Sequence, residues 1–162
     1  MFGALEPMAI DDPREDTVLE SIAFTAVDRL LVLCHSSASP SDEEWDVWIA
    51  LQAPGEHRGI LISTEGGAPN SRQRSRVAEK TSSRGGVRPP VALLTDSAII
   101  RSVMTAFAWI LGKDQPMKAF PRMAVDEAVA WLGADVRPAP VRAAVSRLHG
   151  ALSRSSRRFS VE

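Results

Sequence analysis

One cysteine, Cys34, stands in 162 residues, so the chain makes no internal disulfide and builds no zinc site from cysteine. No apolar run approaches the roughly 18 residues that a membrane-spanning helix needs, so an integral membrane protein is not expected. The first twenty residues are acidic and lack the apolar stretch of a secretory signal, which predicts a cytoplasmic chain. The histidines, His35, His57 and His149, are scattered without metal-ligand spacing, and no pair of carboxylates is set out for general acid–base work. The chain has no Gly-Lys-Ser/Thr to grip a nucleotide phosphate, no dinucleotide fingerprint and no internal repeat. Neither a metal nor another cofactor is implied. A chain so short of catalytic groups is expected to bind rather than to catalyse.

What remains is ordinary globular material. Hydrophobic residues make up 44% and charged residues 24%, enough for one domain with a packed core and too apolar for wholesale disorder. The net charge of −1 conceals an asymmetry. Residues 1–20 carry Glu6, Asp11, Asp12, Glu15, Asp16 and Glu20 against Arg14, and residues 136–162 carry Arg137, Arg142, Arg147, Arg154, Arg157 and Arg158 against Glu162. The two ends are open to pairing with each other, with outside partners, or with water alone. Arginine far outnumbers lysine and alanine is abundant, a composition associated with GC-rich bacterial genomes.

Local patterns place the elements. Ser21–Val27 alternates weakly and Leu30–His35 is continuously apolar, with Asp28-Arg29 between them, which predicts an antiparallel hairpin. Ser41 with Glu44 three residues on is a capping box, so a helix is expected over about 41–52, with Trp45, Trp48 and Ile49 on one face. Gly59–Thr64 reads as a buried strand, and Asn70 caps a basic helix reaching about Lys80. A Ser/Gly/Pro linker over 82–90 leads to a strand at Val91–Thr95, a long apolar helix at Ala98–Leu111, a short strand at Met117–Phe120 and a helix at Ala124–Leu132. Strands alternating with helices predict an α/β layered sheet, mixed but mostly parallel after the opening hairpin. Beyond Gly133, Pro138 and Pro140 break the chain, and Val141, Val145, Leu148 and Leu152 form an apolar stripe on a basic helix. This helix is open to packing on its own domain, pairing with a partner, or peripheral contact with an anionic membrane.

Few residues carry a chemical suggestion. Cys34 and His35 cannot act as nucleophile and base, because adjacent strand residues project to opposite faces. Glu65-Gly66-Gly67 after a parallel strand permits an anion cradle, although a tight turn accounts for the same glycines. Thr95-Asp96-Ser97 opens a helix at the strands' carboxyl end, where ligands gather in α/β sheets, and serves equally as an N-cap. Arg72, Arg74, Arg76, Lys80 and Arg84 concentrate positive charge, with Arg72 and Arg76 on one helical face. No nucleic-acid motif surrounds them and the chain is slightly acidic, so nucleic acid is not an expected partner.

Asp28-Arg-Leu-Leu-Val-Leu, Pro40-Ser-Asp-Glu-Glu-Trp-Asp, Gly59-Ile-Leu-Ile-Ser-Thr-Glu-Gly-Gly and Val91-Ala-Leu-Leu-Thr-Asp-Ser follow one another here. Phe107-Ala-Trp, Lys118-Ala-Phe and Asp126-Glu-Ala-Val-Ala-Trp-Leu come after them. In this order, over about residues 18–133, the chain resembles the STAS fold of bacterial anti-sigma-factor antagonists. More narrowly, it is similar to a divergent SpoIIAA-like branch of small domains also described as lipid-transfer-like. The resemblance implies a regulatory module that binds a kinase, regulator or scaffold protein and is switched by phosphorylation at a strand-to-helix turn. The family's Asp-Ser-(Ser/Thr)-Gly is replaced here by Ser63-Thr64-Glu65-Gly66-Gly67, in which Glu65 already supplies a negative charge. A constitutive scaffold is equally consistent.

The expected organisation is an acidic tail at 1–17, a STAS-like α/β domain at 18–133, and a Pro-bounded basic helix and tail at 134–162. Ser63, Thr64 and Ser97 are the candidate phospho-acceptors. Glu65, Gly66, Gly67, Asn70, Arg72, Arg76, Thr95 and Asp96 are the candidate partner-binding residues, all near the same strand ends. The alternative is a binding domain for a lipid or other small anionic ligand, with Met104, Phe107 and Trp109 of the apolar helix lining a pocket.

Overall fold

The computed structural model of the protein describes residues 15–51, 57–84, 88–111, 115–133 and 135–159. Of 81–84, 107, 109–111 and 156–159 it describes the backbone alone. In chain order the elements are β1 (Thr17–Val18), β2 (Ile22–Val27), β3 (Leu30–His35), α1 (Asp42–Leu51), β4 (Gly59–Thr64) and α2 (Ser71–Arg84). There follow β5 (Val91–Leu94), α3 (Ala98–Leu111), β6 (Met117–Phe120), α4 (Val125–Leu132) and α5 (Pro138–Phe159).

The strands form a single mixed sheet in sequential order, β1-β2-β3-β4-β5-β6. β1, β2 and β3 pair antiparallel, and β3 to β6 pair parallel. The β2–β3 turn is the expected two-residue Asp28-Arg29, with Val27 opposite Leu30. Asp28 takes the positive φ (54°) that a tight hairpin requires at its first turn position. Because each parallel crossover advances one strand in the same direction, right-handed connections deliver α1, α2 and α3 to one face.

The core follows that rule. On one face Phe24, Leu31, Leu33 and Ile60 pack against Trp45, Trp48 and Ile49 of α1 and Val77 of α2, with Ile100 and Met104 of α3 over Leu93. On the other, Leu30, Val32, Leu61 and Leu94 meet Val129 and Leu132 of α4 and Val141, Leu148 and Leu152 of α5. Both faces are covered, which is why β3 reads as one apolar run and not as an alternation.

Several boundaries differ from expectation for local reasons. Thr17, expected in the tail, pairs with Phe24 in the two-residue edge strand β1. α2 continues through Arg84 into the expected linker, since no Gly or Pro intervenes before Gly85. Pro140 stands in the first turn of the C-terminal helix as expected, and Pro138, read as a break before it, opens that same turn of α5, where the missing amide protons have no helical acceptor. The apolar stripe of α5 is spent on the sheet, next to β2, β3 and α4. Among the described residues no helix is long and apolar enough to cross a membrane.

Candidate functional site

The carboxyl ends of β3 to β6 bring the singled-out turns together. After β4, Thr64 Oγ1 donates to the Gly67 carbonyl at 2.5 Å and accepts from the Gly66 amide at 3.0 Å. The Glu65 amide donates to the His35 carbonyl and the Gly67 amide to the Ser36 carbonyl. Gly67 also sits so close to the chain that a Cβ there would lie 2.2 Å from the Ala38 oxygen. Glycine is therefore demanded by backbone approach, and the turn's three amides are all used internally. This is a tight turn, with no amide left over to cradle an anion.

The helix starts are equally self-contained. Asn70 Oδ1 accepts from the Gln73 amide at 2.8 Å, and Gln73 Oε1 accepts from the Asn70 amide at 2.9 Å, a reciprocal cap on α2. Gln73 then donates to the Pro40 carbonyl and to Asp42, locking α2 to α1. Arg76 pairs with Asp46 at 2.5 Å, while Arg72 is exposed. Thr95 is buried, and its hydroxyl accepts from the Ser97 amide; Ser97 Oγ accepts from the Ile100 amide as the N-cap of α3. Asp96 reaches across to the β6–α4 turn, where its Oδ1 accepts from the Arg122 amide at 3.0 Å. The Arg122 guanidinium in turn pairs with Glu65 at 2.9 Å, so three strand ends are stitched along one edge.

The hydroxyls expected to accept phosphate have unequal access. Ser63 is 0% exposed and points to the α4–α5 face; Thr64 is buried in the turn; Ser97 is half-buried. Ser63 Oγ lies 2.8 Å from Nε2 of His149, carried by α5, and His149 Nδ1 lies 3.5 Å from Glu65 Oε1. In the tautomer that carries its proton on Nδ1, Nε2 accepts the serine proton; Nδ1 itself makes no hydrogen bond among the described residues. Burial lowers the His149 pKa, opposed by Glu65 and reinforced by Arg122, which keeps the ring neutral at pH 7.

Serine, histidine and carboxylate thus stand in the order of a nucleophilic triad, but the serine is sealed beneath α5 and no turn amide is open to an oxyanion. What the arrangement does is hold α5 to the end of β4. Cys34, on the same face, has its thiol pKa pushed up by burial and its Sγ near the Val145 carbonyl. His35, on the opposite face, packs against Trp45.

Sequence reading passed over His149 and Arg122. His149 stands four residues after Val145 and three before Leu152, so the apolar stripe of α5 already places it at the buried seam. Its partner is 86 residues away and carries no local sign. Arg122 lies in a short connection with no pattern at all. Comparison with protein-family models, curated proteins and solved structures finds no match for this chain.

Proposed function

We propose that the chain is a cytosolic, non-catalytic interaction module of STAS-like fold that docks a protein partner on the carboxyl end of its parallel strands. The observation that carries this reading is the exposure of two large apolar side chains at this end, Ile99 at 77% and Met123 at 91%. They stand on segments joined by the Asp96–Arg122 hydrogen bond, and the Arg122 guanidinium pairs with Glu65. Exposed bulky apolar side chains on segments that also carry mixed charge have the composition of a small protein-binding hot spot. The sealed Ser63 and the internally consumed turn amides favour binding over catalysis at this end. Of the three candidate phospho-acceptors, Ser97 is the accessible one. A phosphate there gains from the α3 N-terminus and is opposed by Asp96, so partner release on phosphorylation belongs to this proposal.

The test is capture from native-cell lysate with wild-type bait beside the Ile99→Glu/Met123→Glu double variant. A protein enriched by the wild type and lost by an equally stable double variant supports the docking site. Equal capture by both, or capture of no specific protein by folded wild type, overturns it.

A further inference from the structure

The face covered by α1, α2 and α3 holds a cavity of about 60 Å³ that is open on one side. Ile62, Leu93, Ile100, Met104 and Met117 make its wall almost wholly apolar. The side chains of Phe107 and Trp109, also expected at a pocket, lie outside the described residues.

Two of the polar side chains in that wall, His35 and Arg74, keep an unpaired nitrogen among the described residues. His35 is 2% exposed, and its Nδ1 has no hydrogen-bond partner. Arg74 donates through Nη1 to the Pro69 carbonyl at 2.8 Å, but its Nε is buried without a partner. Among the described residues no ion pair engages the Arg74 guanidinium. Neighbouring groups are satisfied: the Trp45 indole donates to the Gln73 carbonyl at 3.0 Å, and Thr64 is bonded within its turn. A buried N–H without an acceptor costs about 1–3 kcal/mol, so the Arg74 Nε–H calls for an acceptor, as does His35 Nδ1 in the tautomer that protonates it.

We propose that this cavity binds a small apolar monocarboxylate, with its carbon chain against Met104, Ile100 and Leu93 and its carboxylate between Arg74 and His35. A carboxylate only accepts, which matches the Nε–H of Arg74 and an Nδ1–H tautomer of His35. The size suits a short chain. A cavity of this volume has room for more than one water yet is smaller than the roughly 150 Å³ that encloses benzene, so a few carbons lie inside and the rest leave by the mouth. This site is separate from the docking surface: Ile100 faces the cavity, whereas Ile99 faces solvent.

The experiment titrates the full chain with hexanoate and with hexanol at neutral pH, following amide shifts of Ala68 and Ile100 by NMR. The expected result is saturable hexanoate binding that is about tenfold or more tighter than hexanol binding. Arg74→Gln is expected to remove that preference and leave hexanol binding unchanged, and Met104→Trp to abolish binding of both by filling the cavity. Absence of saturable shifts up to about 10 mM hexanoate in the folded wild type overturns the proposal, as do equal affinities for hexanoate and hexanol. The wild-type comparison stands even where a variant fails to fold.

Discussion

Cys34 and His35 are neighbours on β3, Ser63 and Thr64 are neighbours on β4, and each pair is divided between two faces of different construction. On the α4–α5 face, Ser63 and a histidine satisfy each other at 2.8 Å, and Leu148, Val141 and Ala144 are wholly buried. On the α1–α3 face, another buried histidine has an unpaired ring nitrogen beside a cavity, and Ile62, Val103 and Met117 remain partly exposed around it. The first face resembles a structural seam and the second a site. Burial alone does not separate the two histidines, since both are under a tenth exposed. What separates them is their surroundings: Ser63 bonds one ring nitrogen of His149 and Glu65 stands 3.5 Å from the other, which makes no hydrogen bond, whereas the His35 ring lines a cavity.

Cavity-forming substitutions break this comparison most forcefully. Leu148→Ala removes a side chain from the closed seam, and the expected loss is about 4 kcal/mol by chemical denaturation. Met104→Ala borders space that already exists and is expected to lose about 2 kcal/mol, with no change in the fold. Equal losses would mean that the two faces are packed alike.

Titration comes next. The His35 pKa is pushed down to about 4 by burial, with His149 adding to the effect and Glu44 opposing it. The unfolded chain takes up this proton first, near pH 6.5, so stability is full above that value and falls as the pH drops toward 4. The expected loss is on the order of 3 kcal/mol from His35, with the lowered His149 adding in the same direction. His35→Phe should flatten the slope of stability against pH over this window and leave stability at pH 7 intact or higher, because it deletes an unsatisfied buried nitrogen. An unchanged slope in that variant would place the titrating group elsewhere.

The division between faces was only half legible in the sequence. Local signals were dependable: the Ser41–Glu44 box closes at 3.1 Å in both directions, Asn70 caps α2, and Asp28-Arg29 turns the hairpin. The alternation of strands and helices likewise predicted the mixed sheet with its parallel half. Contacts made across long stretches of chain left no comparable mark. Glu44 serves its own cap and also accepts from the amide and hydroxyl of Ser21, 23 residues earlier. Burial would raise the Glu44 pKa, and the hydrogen bonds from Ser21 and Ser41 outweigh it. No pattern within α1 announces that second duty. Similarly, nothing around Arg74 or His35 in the chain shows that they meet at one cavity. Only the tertiary fold, which brings α2 and the end of β3 to the same cavity, does that.

The smallest expected effect concerns the ends of the chain, whose opposite charges left open whether they meet. Among the described residues they do: Asp16, just before β1, takes a two-pronged grip from Arg147 of α5, at 2.5 and 2.9 Å. That hydrogen bond is the main cause that holds the Asp16 carboxyl below its usual range, with burial opposing it. The contribution is therefore present above about pH 4 and lost as the pH falls through the lowered value, a window below that of the histidines. Because the Arg147 side chain is about half exposed, Asp16→Asn is expected to cost about 1 kcal/mol or less, and the gap from wild type should shrink in about 1 M salt. Local opening is the sharper reading. β1 has two residues and is tied to the sheet at Thr17–Phe24 and Val18–Ala23, so losing the tether should speed hydrogen exchange in β1 well before global unfolding. A global loss well above 1 kcal/mol would instead make β1 part of the closed seam, extending that face to the sheet's edge.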